Sequence, residues 1–308
     1  MTAPGPVRVP AGLRWWRSQP GGAEWLARLP RLVAECGARW DLALGAPFEP
    51  ATISYVAPVT RAGGLPAVLK VNFPEPESEH EAAALAHWDG AGAVRLLASD
   101  PGRRALLVER CAPGDRLCSV ADEARADREA AAVLRRLWSA PPPPAGHPFR
   151  TLAGEARRWA DELPARWERH GRPVDRALLD RAVGWIWELL ATPDGAHGGA
   201  PVLLHQDLHG GNVLRAARGP WLAIDPKPLV GERAFDVASL LRDRRPELAA
   251  DPHPARRVRD RVDRLSEALD VDRERMRRWA VVHALAWGLA DDEWFADIVA
   301  CAEWLARA

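Results

Sequence analysis

A short strand-rich segment at residues 202–225 interrupts a series of long amphipathic helices, and it constrains the fold more than any other feature. It reads Val202-Leu-Leu-His-Gln-Asp-Leu-His-Gly-Gly-Asn-Val-Leu214 and, after a short link, continues as Leu222-Ala-Ile-Asp-Pro-Lys-Pro228. One apolar strand leads into a loop that contains Asp207 and Asn212. Asp225 lies at the end of the next apolar strand. The glycine pair inside the loop lets the backbone approach a ligand closely. The pattern predicts a polar site at two strand ends.

The spacing of these polar residues indicates phosphate chemistry. Amide and carboxylate oxygens, as in Asn212 and Asp225, suit Mg²⁺, which is usually completed by waters and substrate phosphates. Asp207, Asn212 and Asp225 follow the order of the kinase loop H-R-D-x-x-x-x-N and its later metal-binding aspartate. Gln206 replaces the arginine of that loop, and Asp225-Pro-Lys227 replaces D-F-G. These departures point away from protein kinases.

Lysine is almost absent from the chain. Of 42 basic residues only Lys70 and Lys227 are lysines. Where arginine occupies nearly every cationic position, a remaining lysine marks a place where a planar guanidinium cannot replace a compact ammonium. Both are candidates for chemistry. Lys227 follows Asp225 by two residues, and for it a phosphate contact and an exposed structural role are both open.

The two parts of the chain differ in pattern. The first part predicts a β-hairpin, a helix and two further short strands, and is mainly a sheet with one helix. These elements are Thr52–Val59 with Ala67–Val71, Ser78–Trp88, Val94–Ser99 and Ala105–Arg110. The second part predicts long helices at Asp122–Ser139, Ala153–Glu168 and Arg176–Ala191, the second kinked or divided at Pro164. We therefore expect an α+β fold with a small β-rich lobe at residues 1–111 and a larger helical lobe at residues 112–308.

Two motifs resemble a known family. His205-Gln-Asp-Leu-His-Gly-Gly-Asn212 with Ile224-Asp-Pro226 resembles the aminoglycoside phosphotransferases, kinase-like enzymes that phosphorylate hydroxyls of antibiotics. Residues 220–231 are most similar to the streptomycin 6-phosphotransferase and hydroxyurea phosphotransferase branch, and the likeness spans roughly residues 48–295. The resemblance implies a two-lobed protein-kinase-like fold and an ATP- and Mg²⁺-dependent kinase. The first lobe would bind the nucleotide, and the second would hold the catalytic and substrate-binding residues.

The resemblance also implies roles in the first lobe. Lys70 would contact the α and β phosphates, and Glu81 would hold it there through an ion pair. Glu79 is the other acidic residue close enough in sequence to pair with Lys70. It lies two positions before Glu81 and therefore on the opposite face of the helix, so only one of the two can point at the lysine. Backbone groups of about Glu109 and Cys111 would meet the adenine edge. The resemblance leaves the choice between ATP and GTP open.

In the second lobe, the resemblance makes Asp207 the group that orients the attacking hydroxyl and accepts its proton. Asn212 and Asp225 would carry Mg²⁺, which neutralises charge between the β and γ phosphates. His205 and His209 would brace the loop by hydrogen bonds, with no proton-transfer role.

Acidic residues near the C-terminus suit a cationic substrate. Aminoglycosides are polycations, and the segment Trp287–Asp297 places Asp291, Asp292 and Glu293 among aromatic rings that could stack on guanidinium groups. An ordinary helix with a solvated acidic face is the alternative interpretation. Hydroxyurea or an unrelated small alcohol remains an alternative acceptor. The true substrate and the hydroxyl phosphorylated stay open.

Two other function classes fit part of the pattern. His205-x-Asp207-x-His209 could be a metal cluster of a hydrolase, but this explains neither Lys70 nor Asn212. The second alternative class is a kinase-like fold that binds nucleotide without transferring phosphate. The sequence gives no reason to favour it, because every expected catalytic residue is present.

Composition and charge bear on partners and location. A net charge of zero provides no global field for nucleic acid. No apolar run reaches the roughly 18 residues of a membrane span, and the first 14 residues lack the pattern of a secretory signal. We expect a cytoplasmic enzyme, either monomer or dimer, with a small-molecule partner and neither nucleic acid nor membrane.

Overall fold

The computed structural model describes residues 7–192 and 199–308. The chain divides into two compact units, the first ending at Gly114 and the second starting at Asp115. The sequence pattern placed this division after Cys111. The architecture is α+β, with a small antiparallel sheet in the first unit and mainly helices in the second.

The first unit contains a five-stranded antiparallel sheet in the order β1-β2-β3-β5-β4. Its strands are β1 Ala43–Leu44, β2 Tyr55–Thr60, β3 Pro66–Val71, β4 Leu96–Asp100 and β5 Ala105–Glu109. The predicted hairpin is β2 with β3, in a register from Tyr55 opposite Val71 to Thr60 opposite Pro66. Alternate residues of β2 are buried, as a strand with one core face requires. Lys70 therefore lies near the end of a central strand, opposite Val56 on one side and Leu106 on the other.

The prediction of one helix in the first unit is wrong. Besides α2, Glu81–Trp88, the chain forms a 3-10 helix at Ala11–Ser18 and the long helix α1 at Gly22–Arg39. Residues Trp25, Leu29 and Val33 repeat every four positions along α1 and join the buried core of the sheet. The predicted start of α2 at Ser78 is three residues early, because Ser78–His80 form a turn before it.

The second unit contains nine α-helices in the described residues, besides short 3-10 helices at Leu117–Ser119 and Gly210–Asn212. The α-helices are α3 Glu123–Trp138, α4 Leu152–Arg169, α5 Arg176–Ala191, α6 Arg233–Asp236, α7 Ala238–Leu241, α8 Arg245–Ala249, α9 Pro254–Leu269, α10 Arg273–Gly288 and α11 Ala296–Arg307. Asp122 caps α3 by accepting the Arg125 N–H at 3.0 Å, which explains the predicted start of that helix. Pro164 lies inside α4, which continues to Arg169, so the predicted division is wrong. No described helix combines the length and apolar character needed to cross a bilayer.

Short strands in the second unit hold the polar segment. After β6 Pro113–Arg116, which crosses the boundary between the two units, they are β7 Arg150–Thr151, β8 Val202–Leu204, β9 Val213–Ala216, β10 Trp221–Ala223 and β11 Leu229–Gly231. β8 pairs antiparallel with β11, and β9 pairs antiparallel with β10. All residues of β8 and β10 are buried, which fixes the strand ends where the loops with Asp207 and Asp225 begin.

Candidate active site

The loop after β8 is a series of tight backbone turns. The N–H of Asp207 donates to the carbonyl of His205 at 2.8 Å, and the N–H of His209 donates to the carbonyl of Asp207 at 3.1 Å. The N–H of Asn212 then donates to the carbonyl of His209 at 2.8 Å. These bonds curl the loop so that residues five apart in sequence lie side by side. The Asn212 amide nitrogen donates to the Asp207 carbonyl at 3.0 Å.

A buried carboxylate anchors this loop from behind. Gln206 has a left-handed φ of 65°, which costs a non-glycine residue roughly 1 kcal/mol. Its N–H donates to Oδ1 of Asp236 at 2.7 Å, and Trp138 Nε1 donates to Oδ2 of Asp236 at 2.8 Å. Burial raises the pKa of Asp236 to about 6, although these donors act in the opposite direction. Asp236 thus fixes the strained backbone beside Asp207, a role that sequence reasoning did not identify.

His205 ties the two loops together. Its Nε2 lies 3.0 Å from the carbonyl oxygen of Ile224, and its own carbonyl accepts the Lys227 N–H at 3.0 Å. Burial lowers the pKa of His205 to about 4, so the ring is neutral at pH 7 and donates Nε2–H to Ile224. The Ile224 N–H donates to the Asn212 carbonyl at 2.9 Å, which brings Asp225 next to this loop. Lys227 is buried, so an exposed position for it is wrong.

Gly210 is required by packing inside the second unit. Its N–H donates to Oδ2 of Asp243 at 2.7 Å. A Cβ at Gly210 would lie 2.7 Å from that oxygen and 2.8 Å from the backbone nitrogen of Cys118. At Gly211 the nearest atom to an added Cβ belongs to the rotatable ring of His209, at 2.7 Å. The sequence predicted that the glycine pair lets the backbone approach a ligand closely. At Gly210 the backbone instead lies close to other residues of the protein, Asp243 and Cys118.

The two carboxylate oxygens of Asp207 have different surroundings. Oδ1 accepts from Ser239 Oγ at 2.9 Å and lies 3.4 Å from Arg242 Nη2. Oδ2 has longer contacts, 3.4 Å to Asn212 Nδ2 and 4.0 Å to His209 Nε2. The side chain is 14% exposed. One oxygen is thus anchored and the other is available to a hydrogen-bond donor. Sequence reasoning missed Ser239 and Arg242.

The predicted metal ligands have suitable donor chemistry. Asn212 turns its amide nitrogen toward Asp207, which leaves its amide oxygen for a cation, and Asp225 supplies a carboxylate. Such oxygens suit Mg²⁺, which needs few protein ligands when phosphates and waters complete its shell. Among the described residues no group of three or more His, Cys, Asp or Glu side chains could hold a metal ion. The metal cluster of the hydrolase interpretation therefore has no counterpart there.

In the first unit, Lys70 and Glu81 form a buried ion pair. Lys70 Nζ lies 2.8 Å from each Glu81 carboxylate oxygen, and the residues are 7% and 2% exposed. Asn72 Nδ2 donates to Glu81 Oε2 at 2.7 Å, and Ser54 Oγ donates to Asn72 Oδ1 at 2.7 Å. Glu79 points elsewhere, lying 3.7 Å from Arg104. The structure thus forms the predicted ion pair between a strand lysine and a glutamate of the next helix, and the contact of Lys70 with a nucleotide stays a prediction.

The predicted adenine-binding residues follow the same sheet. Glu109 is the last residue of β5, lies opposite Ala67, and its N–H donates to the Arg95 carbonyl at 2.9 Å. Cys111 lies two residues after Glu109 and is partly exposed. The contacts of both residues with a nucleotide stay a prediction.

The sequence matches a family model over residues 39–297, and the family is described as "Aminoglycoside/hydroxyurea antibiotic resistance kinase". The chain belongs to this family. The streptomycin 6-kinase of Streptomyces griseus is 38% identical over 93% of this chain and 92% of its own length. The hydroxyurea phosphotransferase of Kitasatospora aureofaciens is 36% identical over 93% of this chain and 82% of its own.

A solved structure shows the same fold. The aminoglycoside phosphotransferase APH(4)-Ia, as a thermostable mutant in complex with ADP and hygromycin B, aligns with a TM-score of 0.60 at 17% identity. The alignment covers 89% of this chain and 96% of that one. The likeness identifies the fold of this antibiotic resistance kinase as kinase-like.

The acidic residues predicted to bind substrate lie in the segment between α10 and α11 of this kinase. The alternative of an ordinary helix is wrong there, because residues 289–295 are not helical. Asp291 Oδ1 lies 3.0 Å from Arg166 Nε and 3.7 Å from Arg169 Nη1. Asp292 and Glu293 are exposed and form no ion pair within the described residues. Of the three acids, these two are the ones left to pair with a cation.

Proposed function

We propose that this antibiotic resistance kinase transfers the γ-phosphoryl group of ATP to a hydroxyl of streptomycin or a related aminoglycoside. The observation that carries the proposal is the asymmetric environment of Asp207. Oδ1 is held by Ser239 Oγ at 2.9 Å and by Arg242 Nη2 at 3.4 Å, whereas Oδ2 accepts, among the described residues, one long hydrogen bond of 3.4 Å from the Asn212 amide. A carboxylate in this position suits the orientation of an acceptor hydroxyl. Relatives named streptomycin 6-kinase support the substrate class.

The chemistry is one direct displacement. The acceptor hydroxyl donates a hydrogen bond to Asp207 Oδ2, and its oxygen attacks the γ-phosphorus of ATP in line with the β–γ bridging oxygen. As the new P–O bond forms, the hydroxyl proton passes to Asp207, the bond to the bridging oxygen breaks, and ADP leaves. No covalent phospho-enzyme is required, because positioning and electrostatics account for most of this catalysis.

The other site residues are assigned to the binding of nucleotide and Mg²⁺. Lys70 would place its ammonium on the α and β phosphates while Glu81 holds it in position. Asn212 and Asp225 would hold Mg²⁺, which when bound neutralises the charge that builds between the β and γ phosphates. Glu109 and Cys111 would offer backbone groups to the adenine edge.

The exposed acids are proposed to select the substrate. Asp292 and Glu293 would pair with guanidinium groups, because they have no arginine partner in the described part of the second unit. Asp291 would contribute less, since Arg166 and Arg169 already neutralise it. Hydroxyurea is the second candidate, favoured by 36% identity to a hydroxyurea phosphotransferase over most of the chain. It is small and uncharged, so it needs no acids.

The primary test is nucleotide consumption with Mg²⁺ and ATP against streptomycin, other aminoglycosides, hydroxyurea and simple amino alcohols. We expect turnover that depends on streptomycin and falls by roughly 10²–10⁴-fold in Asp207→Asn, the usual contribution of a general base. The variant should stay folded and still show a nucleotide-dependent rise in melting temperature. Near-normal turnover in Asp207→Asn contradicts the mechanism. Nucleotide binding without turnover on any acceptor contradicts the substrate class.

A second test separates the two candidate substrates by charge. The double variant Asp292→Asn/Glu293→Gln keeps side-chain size and removes two charges. We expect KM for streptomycin to rise by roughly tenfold, with KM for ATP unchanged, since exposed ion pairs contribute up to about 1 kcal/mol each. Asp291→Asn is the matched control and should change KM less. An unchanged KM for streptomycin in the double variant refutes the role of these acids.

A further inference from the structure

A buried serine and a buried arginine lie behind the carboxylate of Asp207. Ser239 belongs to α7, and Arg242 is the first residue after that helix. Ser239 is 1% exposed and Arg242 is 4% exposed. Ser239 Oγ donates to Asp207 Oδ1 at 2.9 Å, and Arg242 Nη2 lies 3.4 Å from the same oxygen. Neither side chain can serve as a surface group that binds substrate. Both contact Oδ1 of Asp207 and not Oδ2.

Arg242 is itself held on several sides. Its Nη2 donates to Ser239 Oγ at 3.0 Å, and its Nε donates to His283 Nδ1 at 3.4 Å. Its guanidinium carbon lies 4.6 Å from the centroid of the Trp287 ring. A guanidinium suits this site because it can stack on a ring and donate in its own plane at once, which an ammonium cannot.

The neighbouring histidine adds no charge. His283 is fully buried, and burial together with Arg242 lowers its pKa well below the usual value. A neutral ring accepts at Nδ1 and carries its proton on Nε2. The carboxylate that Arg242 contacts is that of Asp207, so the arginine charge is directed to the group that the proposed reaction uses.

We propose that Ser239 and Arg242 are positioning residues that fix Oδ1 of Asp207 and thereby aim Oδ2 at the acceptor hydroxyl. This inference rests on the proposed function and adds to it the residues that orient the catalytic carboxylate. A charge-assisted hydrogen bond and a hydroxyl donor on one oxygen stop rotation of the carboxylate. An oxygen displaced by about 1 Å can cost roughly 10²-fold in rate.

The kinetic test compares Arg242→Met and Ser239→Ala with the wild type. We expect kcat to fall by roughly 10–100-fold for Arg242→Met and less for Ser239→Ala, with KM for ATP unchanged. Arg242→Lys keeps the charge and should recover part of the loss. Arg277→Met is the matched control, since Arg277 is also buried but contacts Glu274 and the Leu305 carbonyl. A kcat near that of the wild type in Arg242→Met, or an equal loss in Arg277→Met, overturns the proposal.

A second measurement needs no substrate. Melting temperatures of Asp207→Asn, Arg242→Met and the double variant form a cycle that reports whether the two side chains interact. We expect the double variant to lose less than the sum of the single losses, whereas an additive result overturns the contact. If the wild type turns over no acceptor, the proposed function fails, and the cycle still decides whether Arg242 holds the Asp207 carboxylate.

Discussion

The buried pair of Lys70 and Glu81 leads to a quantitative prediction. Removing one partner of a buried ion pair typically costs 3–5 kcal/mol, because an uncompensated charge remains inside the protein. For Glu81→Leu this cost has an upper limit, because a buried lysine can release its proton instead, which costs about 3 kcal/mol at pH 8. We therefore expect Glu81→Leu to lower the free energy of unfolding by about 3 kcal/mol. Lys70→Met should cost a similar amount, because Glu81 then keeps a hydrogen bond from Asn72 but loses both contacts of 2.8 Å with Lys70.

The double variant Lys70→Met/Glu81→Leu separates stability from function. Apolar replacement of both partners of a buried pair is often neutral or stabilising, although Asn72 would lose the acceptor for its amide, at a cost of about 1–3 kcal/mol. We expect the double variant to lose about 3 kcal/mol less than the sum of the two single variants. Phosphotransfer should be lost in all three variants.

The assay is urea unfolding followed by circular dichroism and by tryptophan fluorescence. Coincident transitions in the two signals are needed before the unfolding free energies are compared. Single variants that each lose less than about 1 kcal/mol would refute the reasoning that the pair is buried and mutually compensated. An additive double variant would refute the direct interaction.

Two further predictions concern the loop after β8. Because burial lowers the pKa of His205 from 6.5 to about 4, the unfolded chain binds a proton between pH 7 and pH 5 that the folded chain does not. The wild type should lose about 2 kcal/mol of stability over this range from His205 alone, and His205→Gln should not. Asp236, whose pKa is raised to about 6, stabilises both proteins equally as the pH falls over the same range. Its contribution therefore cancels when the change in unfolding free energy between pH 7 and pH 5 is compared between the wild type and His205→Gln. Equal pH dependence of the two proteins contradicts the prediction. Gly210→Ala places a methyl group 2.8 Å from the Cys118 backbone nitrogen and should cost about 1–3 kcal/mol, whereas Gly211→Ala meets a rotatable ring and should cost less. Thermal unfolding of the two variants tests this order.

Local sequence patterns were sufficient for the parts of the site that are contiguous. Asp207 and Asn212 lie five residues apart in one loop, and the bond from the Asn212 amide to the Asp207 carbonyl is local. The pairing of Lys70 with Glu81 came from the family resemblance, and helical spacing decided only that Glu81 rather than Glu79 faces the lysine.

The residues that support Asp207 were not predicted because their contacts are long-range. Asp236, Ser239 and Arg242 lie about thirty residues after the loop, in a run that reads Phe-Asp-Val-Ala-Ser-Leu-Leu-Arg. This run has the pattern of an ordinary helix, and nothing in it shows that a carboxylate and a guanidinium turn inward. Helix α1 was missed for a related reason, since its apolar stripe became meaningful only once the sheet that it covers was known.

The supports of Asp207 and the proposed substrate acids lie in different kinds of structure. All residues from Ala234 to Arg242 are buried, and from this one segment Asp236 fixes the backbone beside Asp207 while Ser239 and Arg242 hold its carboxylate. Asp292 and Glu293 are exposed in a non-helical connection. A substitution in the buried segment would disturb packing and the position of the Asp207 carboxylate together, whereas a substitution in the connection would change surface charge at little cost in stability. Under the proposed roles, the acceptor could therefore change in the exposed connection while the orientation of Asp207 is retained, which agrees with a family whose relatives are named streptomycin 6-kinase and hydroxyurea phosphotransferase.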